Sequence, residues 1–484
     1  MSSENEKVPR VPYLWEALLS FGFLVAVMVV GIGVFGVDPH IPMMIGASFA
    51  ALMAFRLGFK WKQIERAMFD GIYNVLQAVI ILFVIGVIIG VWMVAGIVPT
   101  MIYYGLNILS ARTFLVATLL ICSVTSVAIG TSWGTAGTIG VALMGVAIGL
   151  GINPAVAAGA VVSGAYFGDK LSPLSDTTNL AAAMAGTDLF THIKFMLRNT
   201  IPVYIIVIVI YIVLGINAGN SNASFEGVKV IQDGIAGSFN ISPFLLIPPI
   251  VVIVLVAFKI PAIPGIFAGV IIGGIFGAIF QGNTFGDLLE AAYGGYQSAT
   301  GIEAVDDLLS KGGLEGIMFA ISLIIIAMMF GGIMEKTRQL EVVVSRVVSA
   351  FKSITALVGV TMLTALVSNI TIPDQYIAIV VPGRMFAPEY KRRGLHPKMC
   401  SNAVDSCGTV TSALVPWNTC GIAMATFLGV ATFEYLPYAF FNLLGPIAVL
   451  VMTAMGLQRV KRSQEPSTIL DYDEKEEAKL QQGT

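Results

Sequence analysis

The sequence predicts an all-α membrane protein with about 12–14 transmembrane helices or hairpins. Of its 484 residues, 56% are hydrophobic and only 12% are charged. Uncharged stretches such as residues 17–35 and 75–98 are long enough to cross the hydrocarbon core, which takes roughly 20 helical residues. The apolar runs are continuous and do not alternate with polar residues, which argues against barrel strands.

Basic residues predict the cytoplasmic side of the chain. They cluster at residues 7–10, 56–66, 194–198, 336–352, 384–398 and 459–462. Residues 216–242 and 283–315 carry few basic residues and several acids, which predicts an external position. Both termini are therefore expected in the cytoplasm. A net charge of −2 gives no reason to expect nucleic-acid binding.

Weak internal similarity predicts two copies of one unit. Residues 64–71 and 288–295 each form a short amphipathic stretch that leads into a long apolar run. The charge pattern places the first stretch in the cytoplasm and the second outside, so the copies would be inverted, as in many secondary transporters. We expect a first repeat over 1–215, an external connecting loop over 216–242, a second repeat over 243–462 and a polar cytoplasmic tail over 463–484.

The richest polar segment of the first copy, residues 164–180, predicts a broken helix. Pro173 interrupts helical hydrogen bonding, and polar groups at such a break are tolerated in a membrane where they line a cavity or bind a ligand. The candidate ion-binding residues of this segment are Asp169, Asp176, Ser175, Thr178 and Asn179. A solvated cytoplasmic loop is the alternative, in which an Asp169–Lys170 ion pair would remove Asp169 from the site.

The second copy supplies further acids within apolar surroundings, where an ionisable group is a functional candidate. Asp374 and Asp405 are its candidate carboxylates, and residues 130–137 fall opposite residues 368–375 at the repeat offset. We expect these two segments to cross as unwound elements, and the candidate neutral ligands are Thr131, Ser132, Asn369 and Asn418. The residues expected to contact a metal ion directly are Asp176, Asp405 and Asn179, because small hard cations prefer oxygen ligands.

Competition for one carboxylate predicts the mechanism. A buried aspartate needs a bound proton or a cation to neutralise it, so a site of this kind holds one or the other and exchanges them. We therefore expect a Na⁺-for-proton exchanger with no cofactor and no enzymatic activity. His192, beside Lys194, is either a sensor of cytoplasmic pH or an ordinary interfacial histidine.

Other classes of protein fit less well. An intramembrane aspartyl protease would need a glycine where Tyr166 stands, and a channel would share the polar helix breaks without coupling to protons. ATP-driven transport has no support, because the chain contains no GxxxxGK[ST] segment.

The segments at residues 130–138, 163–180 and 192–196 resemble the NhaC family of Na⁺/H⁺ antiporters. The resemblance implies a bacterial-type inner membrane, Na⁺/H⁺ exchange and an ion-transporter fold with inverted repeats and re-entrant hairpins. Similarity to the same family also implies the alternative of Na⁺-lactate/malate-H⁺ exchange, with a small carboxylate as an additional substrate. The expected partners are the lipid bilayer, Na⁺ and H⁺, and the sequence leaves a homodimer open.

Overall fold

The computed structural model describes residues 9–218, 225–258, 260–310, 312–339, 342 and 353–461. Within these residues the chain is helical, and its β-structure consists of an isolated bridge between Leu395 and Lys461. The prediction of an all-α fold is confirmed. The predicted tail over 463–484 and the basic residues Lys7, Lys259, Arg346, Lys352 and Arg462 lie outside the described residues.

The helices of the first half follow one another with short connections. They are α1 Leu14–Gly33, α2 His40–Arg56, α3 Trp61–Asn74, α4 Leu76–Val94, α5 Ile97–Ile108, α6 Ala111–Ile129, α7 Ser132–Thr135, α8 Val141–Gly149, α9 Pro154–Leu171, α10 Asp176–Ala185 and α11 Leu189–Ala218. A π-helical stretch, Ala136–Gly140, joins α7 to α8.

The described helices of the second half include two that are bent against a neighbour. They are α12 Phe225–Ser238, α13 Ile247–Ala257, α14 Ala262–Gln281, α15 Phe285–Gly294, α16 Glu303–Leu309, α17 Gly313–Lys336, α18 Ile354–Thr371, α19 Gln375–Arg392, α20 Pro397–Ser412, α21 Thr419–Leu428, α22 Thr432–Tyr435 and α23 Phe440–Ala454. Short 3₁₀ turns precede α13 and follow α22.

Eight described helices are long and apolar enough to cross a membrane. Two bent pairs would raise that number to ten, and three further apolar helices are shorter, with 10–17 residues. The predicted 12–14 elements included hairpins and half-length pieces of this kind. The chain is therefore a multi-pass membrane protein.

Helices break in the same order in both halves of the chain. In the first half, α6 ends at Gly130 before α7, and α9 ends before the non-helical residues 172–175. In the second half, α18 gives way to residues 372–374, and α20 gives way to residues 413–418. Each broken helix packs against the other one of its own half, α6 on α9 and α18 on α20. The opposite orientation of the two halves across a membrane stays a prediction.

The segment expected as an external connecting loop, residues 216–242, contains helix α12, and its external position stays a prediction. Helix α12 buries Ile231 and Ile235, which are one helical turn apart on the same face. This face packs against α5 and α16. The scarcity of basic residues indicated the side of the membrane but concealed the short amphipathic pattern.

Candidate ion-binding site

The first helix break brings a backbone donor to a buried carboxylate. Thr131 caps α7, and the backbone amide of the next residue, Ser132, donates to Oδ2 of Asp169 at 3.0 Å. Asp169 lies near the end of α9 and is 3% exposed, and its Oδ1 has no hydrogen-bond partner among the described residues. An unbonded carboxylate oxygen of this kind can accept a proton or coordinate a cation.

The second break of the first half is held by its own polar side chains. Ser175 caps α10 by accepting from the amide of Thr178, whose hydroxyl donates to the carbonyl of Lys170 at 3.2 Å. The amide group of Asn179 donates to the carbonyls of Pro173 and Ser175. Ser175, Thr178 and Asn179 therefore shape the break, and the structure does not place them on the cavity described below.

Asp176 stands at the exposed start of α10. Its Oδ1 accepts from the amide of Thr177 at 2.8 Å, and its Oδ2 accepts from the hydroxyl of Tyr376 at 2.5 Å. The Tyr376 contact joins the two halves of the chain. The charge of Asp176 also acts on Asp169, so these two carboxylates lie within electrostatic reach of each other.

In the second half, Asp374 occupies the position that precedes α19. It caps this helix by accepting from the amide of Ile377 at 3.0 Å, and it is 3% exposed. The predicted neutral ligands behind it are bonded to each other: Nδ2 of Asn418 donates to Oδ1 of Asn369 at 3.1 Å. Asn369 in turn donates to the carbonyl of Gly408, so this amide pair joins the breaks of α18 and α20 and lies behind the cavity lining.

A cavity of about 660 Å³ lies between the breaks of the two halves. Its polar lining includes Thr131, Ser132, Asp169, Asp176, Asp374, Gln375, Tyr376 and Thr419. Three carboxylates and several hydroxyl oxygens thus face one space, which is the ligand chemistry of a small hard cation. In the described chain, no three His, Cys, Asp or Glu residues lie close enough together to hold a metal ion. A cation in the cavity would therefore need neutral oxygens as additional ligands.

The cavity is acidic over the part of the chain that the structure describes. Its described lining contains three aspartates and no lysine, arginine or histidine. Lys259, next to the lining residue Ile260, lies outside the described residues. A space lined by charges of one sign within low-dielectric walls concentrates ions of the opposite sign. The lining therefore favours cations.

Asp405 does not face this cavity, which corrects its predicted role as a metal ligand. It is completely buried on α20, and its Oδ2 accepts from Nζ of Lys170 at 3.0 Å. Its Oδ1 accepts from Thr409 at 2.6 Å. With both oxygens bonded, Asp405 has a counter-charge of its own, and the predicted metal set of Asp176, Asp405 and Asn179 is not assembled.

The lining contains residues that the sequence analysis did not select. Gln375 and Tyr376 directly follow Asp374, and Cys420 and Trp133 meet at the cavity through a contact of 3.4 Å between Nε1 and Sγ. Gln375 and Tyr376 could have been found from their position beside a helix break. No local signal indicates Cys420, because its place depends on packing between the halves.

Comparison with known proteins places the chain among transporters. Residues 164–457 match the model of the Na⁺/H⁺ antiporter family. The chain is similar to the Na⁺/H⁺ antiporter NhaC of Alkalihalophilus pseudofirmus, with 35% identity over 91% of this chain and 95% of the relative. It is also similar to the malate-2H⁺/Na⁺-lactate antiporter of Bacillus subtilis, with 37% identity over 89% and 92%, respectively.

A third relative is the arginine/ornithine antiporter ArcD of Halobacterium salinarum, with 37% identity over 96% of this chain and 97% of the relative. All three relatives are antiporters by name and match nearly the whole chain. The expected resemblance is confirmed: this chain belongs to the Na⁺/H⁺ antiporter family, among relatives named NhaC.

Proposed function

We propose that this chain exchanges Na⁺ for H⁺ across the cell membrane by alternating access, with Asp169 and Asp374 as the central carboxylates. The observation that carries the proposal is the acidic cavity between the helix breaks of the two halves. Both termini lie in the cytoplasm, and Na⁺ and H⁺ are cargo, with no resident cofactor. The homodimer stays a prediction.

Exchange follows from the cost of a bare charge in this cavity. Asp169 and Asp374 are each 3% exposed, and an uncompensated buried charge is strongly unfavourable. Each carboxylate therefore needs a cation or a proton, and Oδ1 of Asp169 is free to take either. Because the two cargoes compete for the same oxygens, the loaded protein carries one or the other when it changes its accessible side.

The cavity faces the side that the basic residues assign to the cytoplasm. Its lining includes Gln77, Phe190 and Pro261, which lie at the beginnings of α4, α11 and α14. Basic residues precede or surround these helix ends in the sequence at residues 56–66, 194–198 and 259. We infer from them that the cavity opens toward the cytoplasm.

An organic anion fits this cavity less well than a cation does. A lactate or malate carboxylate would meet three aspartates, and Lys170, which directly follows the lining residue Asp169, is bonded to Asp405. Like charges without an intervening cation repel. The described cavity lining therefore suits the Na⁺ and H⁺ in the name of the Bacillus subtilis relative. It offers no basic side chain that would bind the carboxylate of malate or lactate.

A cationic amino acid is the second candidate, because the cavity favours it. The volume of about 660 Å³ falls in the range of small-molecule pockets, and the acidic lining would attract an ammonium or guanidinium group. The relative from Halobacterium salinarum is named for arginine and ornithine. Addition of arginine or ornithine to the flux assay separates this activity from exchange of ions alone.

Flux in proteoliposomes tests the proposal. A Na⁺ gradient should move protons without organic substrate, and Asp374→Asn and Asp169→Asn should each reduce this flux by roughly a hundredfold or more, since each removes a buried charge that binds the cargo. Asp233→Asn, at an exposed acid on α12, is the matched control and should retain flux. Proton movement that requires malate or lactate would refute simple ion exchange. Normal flux in both cavity variants would refute the site.

A further inference from the structure

A second cluster of titratable groups lies outside the cavity lining. Lys170 on α9 donates to Asp405 on α20 at 3.0 Å and to the hydroxyl of Ser406 at 2.7 Å. His192 on α11 places Nε2 3.9 Å from Oδ2 of Asp405. Lys170 is 1% exposed, and Asp405 and His192 are completely buried. Three elements thus bring a lysine, an aspartate and a histidine together away from water.

The neighbours of His192 indicate which ring nitrogen carries its proton. Nδ1 lies 2.8 Å from Oγ of Ser401, and the hydroxyl of Ser401 donates to the carbonyl of Lys398 at 3.1 Å. Because that hydroxyl has one hydrogen, Oγ is left to accept from Nδ1–H. The neutral ring then carries its lone pair on Nε2.

Nε2 is a proton-accepting position that the neutral ring leaves without a bond. It has no hydrogen-bond partner among the described residues, and the nearest acidic atom, Oδ2 of Asp405, is an acceptor like itself. A proton on Nε2 would turn this pair of acceptors into a charged donor and an acceptor. The imidazolium would then share Asp405 with Lys170.

This cluster borders the cavity through one peptide bond. Asp169 lines the cavity, and Lys170, the next residue, points to Asp405. Burial of His192 and the charge of Lys170 on α9 oppose a proton on the ring, whereas the charges of Asp405 on α20 and Asp188 immediately before α11 favour one. A positive charge added to the cluster is therefore felt by a cation bound at Asp169. A unit charge about 10 Å away in a protein interior changes cation affinity by roughly tenfold.

Polar side chains continue from the cluster toward the predicted cytoplasmic side. Ser406 donates to Asn402, which donates to Gln458, which donates to Asn199. All of these residues are at most 1% exposed, and Gln458 precedes the basic residue Arg459. These hydrogen bonds connect the buried cluster to the residue that precedes Arg459.

We propose that Nε2 of His192 is a second proton-binding site of this antiporter, coupled electrostatically to Na⁺ in the cavity. The inference rests on the proposed Na⁺/H⁺ exchange and adds a residue to it. One proton from water binds to Nε2 and returns to water when Na⁺ enters, and no other bond is made or broken. By linkage, the proton on His192 and Na⁺ at Asp169 weaken each other's binding equally. His192 acts on Na⁺ through charge and positions no ligand directly.

Proton release on Na⁺ binding tests this inference in the purified full-length chain. NaCl is added to weakly buffered detergent solution from about pH 5 to about pH 9, and a pH-indicator dye counts the protons released per Na⁺ bound. The wild type should release protons from the cavity and from His192. His192→Gln, whose side chain can bond Asp405 without titrating, should release fewer protons, and its apparent Na⁺ affinity should fall less steeply as the pH is lowered.

The control is His40→Gln, because His40 contacts the carbonyl of Phe319 and the hydroxyl of Ser322 on α17, not this cluster. It should behave as the wild type does. Proton release by His192→Gln that equals the wild-type release at every pH would overturn the inference and leave Na⁺/H⁺ exchange intact. Absence of Na⁺-linked release in the wild type would instead refute the proposed function.

A second variant keeps the test decisive if His192→Gln does not fold. His192→Asn replaces the ring by a smaller amide side chain that does not titrate. Na⁺-linked proton release should again fall. Release equal to that of the wild type would contradict the proposed role of Nε2.

Discussion

At the scale of single residues, the acids of this chain differ in burial and therefore in expected effect. Asp169 and Asp374 are buried at helix breaks, whereas Asp176 is exposed at the start of α10 and bonded to Tyr376. Exposed charges are screened by water and contribute little to binding. The cavity thus has a central pair of carboxylates and a third one near its mouth.

Asp176→Asn should weaken exchange without abolishing it. We expect the KM for Na⁺ to rise roughly two- to fivefold with little change in kcat, since the change removes one solvent-screened charge. Initial rates of Na⁺-dependent proton flux against Na⁺ concentration measure both constants. Complete loss of flux in a correctly folded Asp176→Asn protein would place this residue among the central ligands.

The Lys170–Asp405 pair predicts a non-additive effect on stability. Asp405→Asn or Lys170→Met alone leaves one charge without its partner in a buried site and should cost about 3–5 kcal/mol. The double variant buries neither charge and should recover a large part of this loss. Thermal unfolding of the three variants in detergent gives the coupling. Costs that simply add in the double variant would show that the two side chains do not compensate each other.

At the scale of elements, the first helix break depends on a glycine. Gly130 ends α6 with φ of +77°, a left-handed conformation that favours glycine. A Cβ atom there would lie 2.6 Å from the side chain and 2.8 Å from the backbone carbon of Leu174. The break of α6 therefore packs directly on the break between α9 and α10, and space for a side chain is absent at their contact.

Gly130→Ala should reduce exchange strongly, because it pushes the two breaks apart and moves Ser132 away from Asp169. The matched control is Gly282→Ala, since Gly282 ends α14 with φ of +71° but has open space around it. Both variants carry the strain of about 1–2 kcal/mol for a left-handed residue, and only the first has the collision. Equal flux in the two variants would show that the contact with Leu174 does not matter.

At the scale of the whole molecule, the inverted arrangement of the halves makes a prediction about accessibility. Helices α3 and α15 are the corresponding amphipathic elements, and their first residues, Trp61 and Phe285, are 52% and 75% exposed. The basic residues predict a cytoplasmic position for α3 and an external one for α15. Both positions are suited to chemical labelling because the four native cysteines are buried.

Trp61→Cys and Phe285→Cys should react with a membrane-impermeant thiol reagent from opposite sides. In right-side-out vesicles we expect labelling of the residue 285 variant alone, and in inverted vesicles labelling of the residue 61 variant alone. The unsubstituted chain is the background control. Labelling of both variants from the same side would refute the inverted repeat.

The helices, one helix break and the family could be predicted from the sequence alone. Long apolar runs have few solutions in a membrane, since their backbone groups must be bonded internally, and helices follow directly. Pro173 and the polar residues around it locate a helix break by local chemistry, and the motifs at residues 130–138 and 163–180 indicate the family. Asp169, Asp374, Thr131 and Ser132 were selected from local signals and all line the cavity, and their role in ion binding stays a prediction.

The tertiary structure decided which of these groups meet. Lys170 is bonded to Asp405, which is more than 200 positions away in the sequence, so Asp405 does not line the cavity. His192 lies next to Asp405 in the same cluster. Ser175, Thr178 and Asn179 form hydrogen bonds within the helix break, and Asn369 and Asn418 are hydrogen-bonded to each other. Local sequence establishes that a polar group exists at a break. The partner of its charge depends on how distant helices pack, because a buried charge is stabilised by whichever group the fold places beside it.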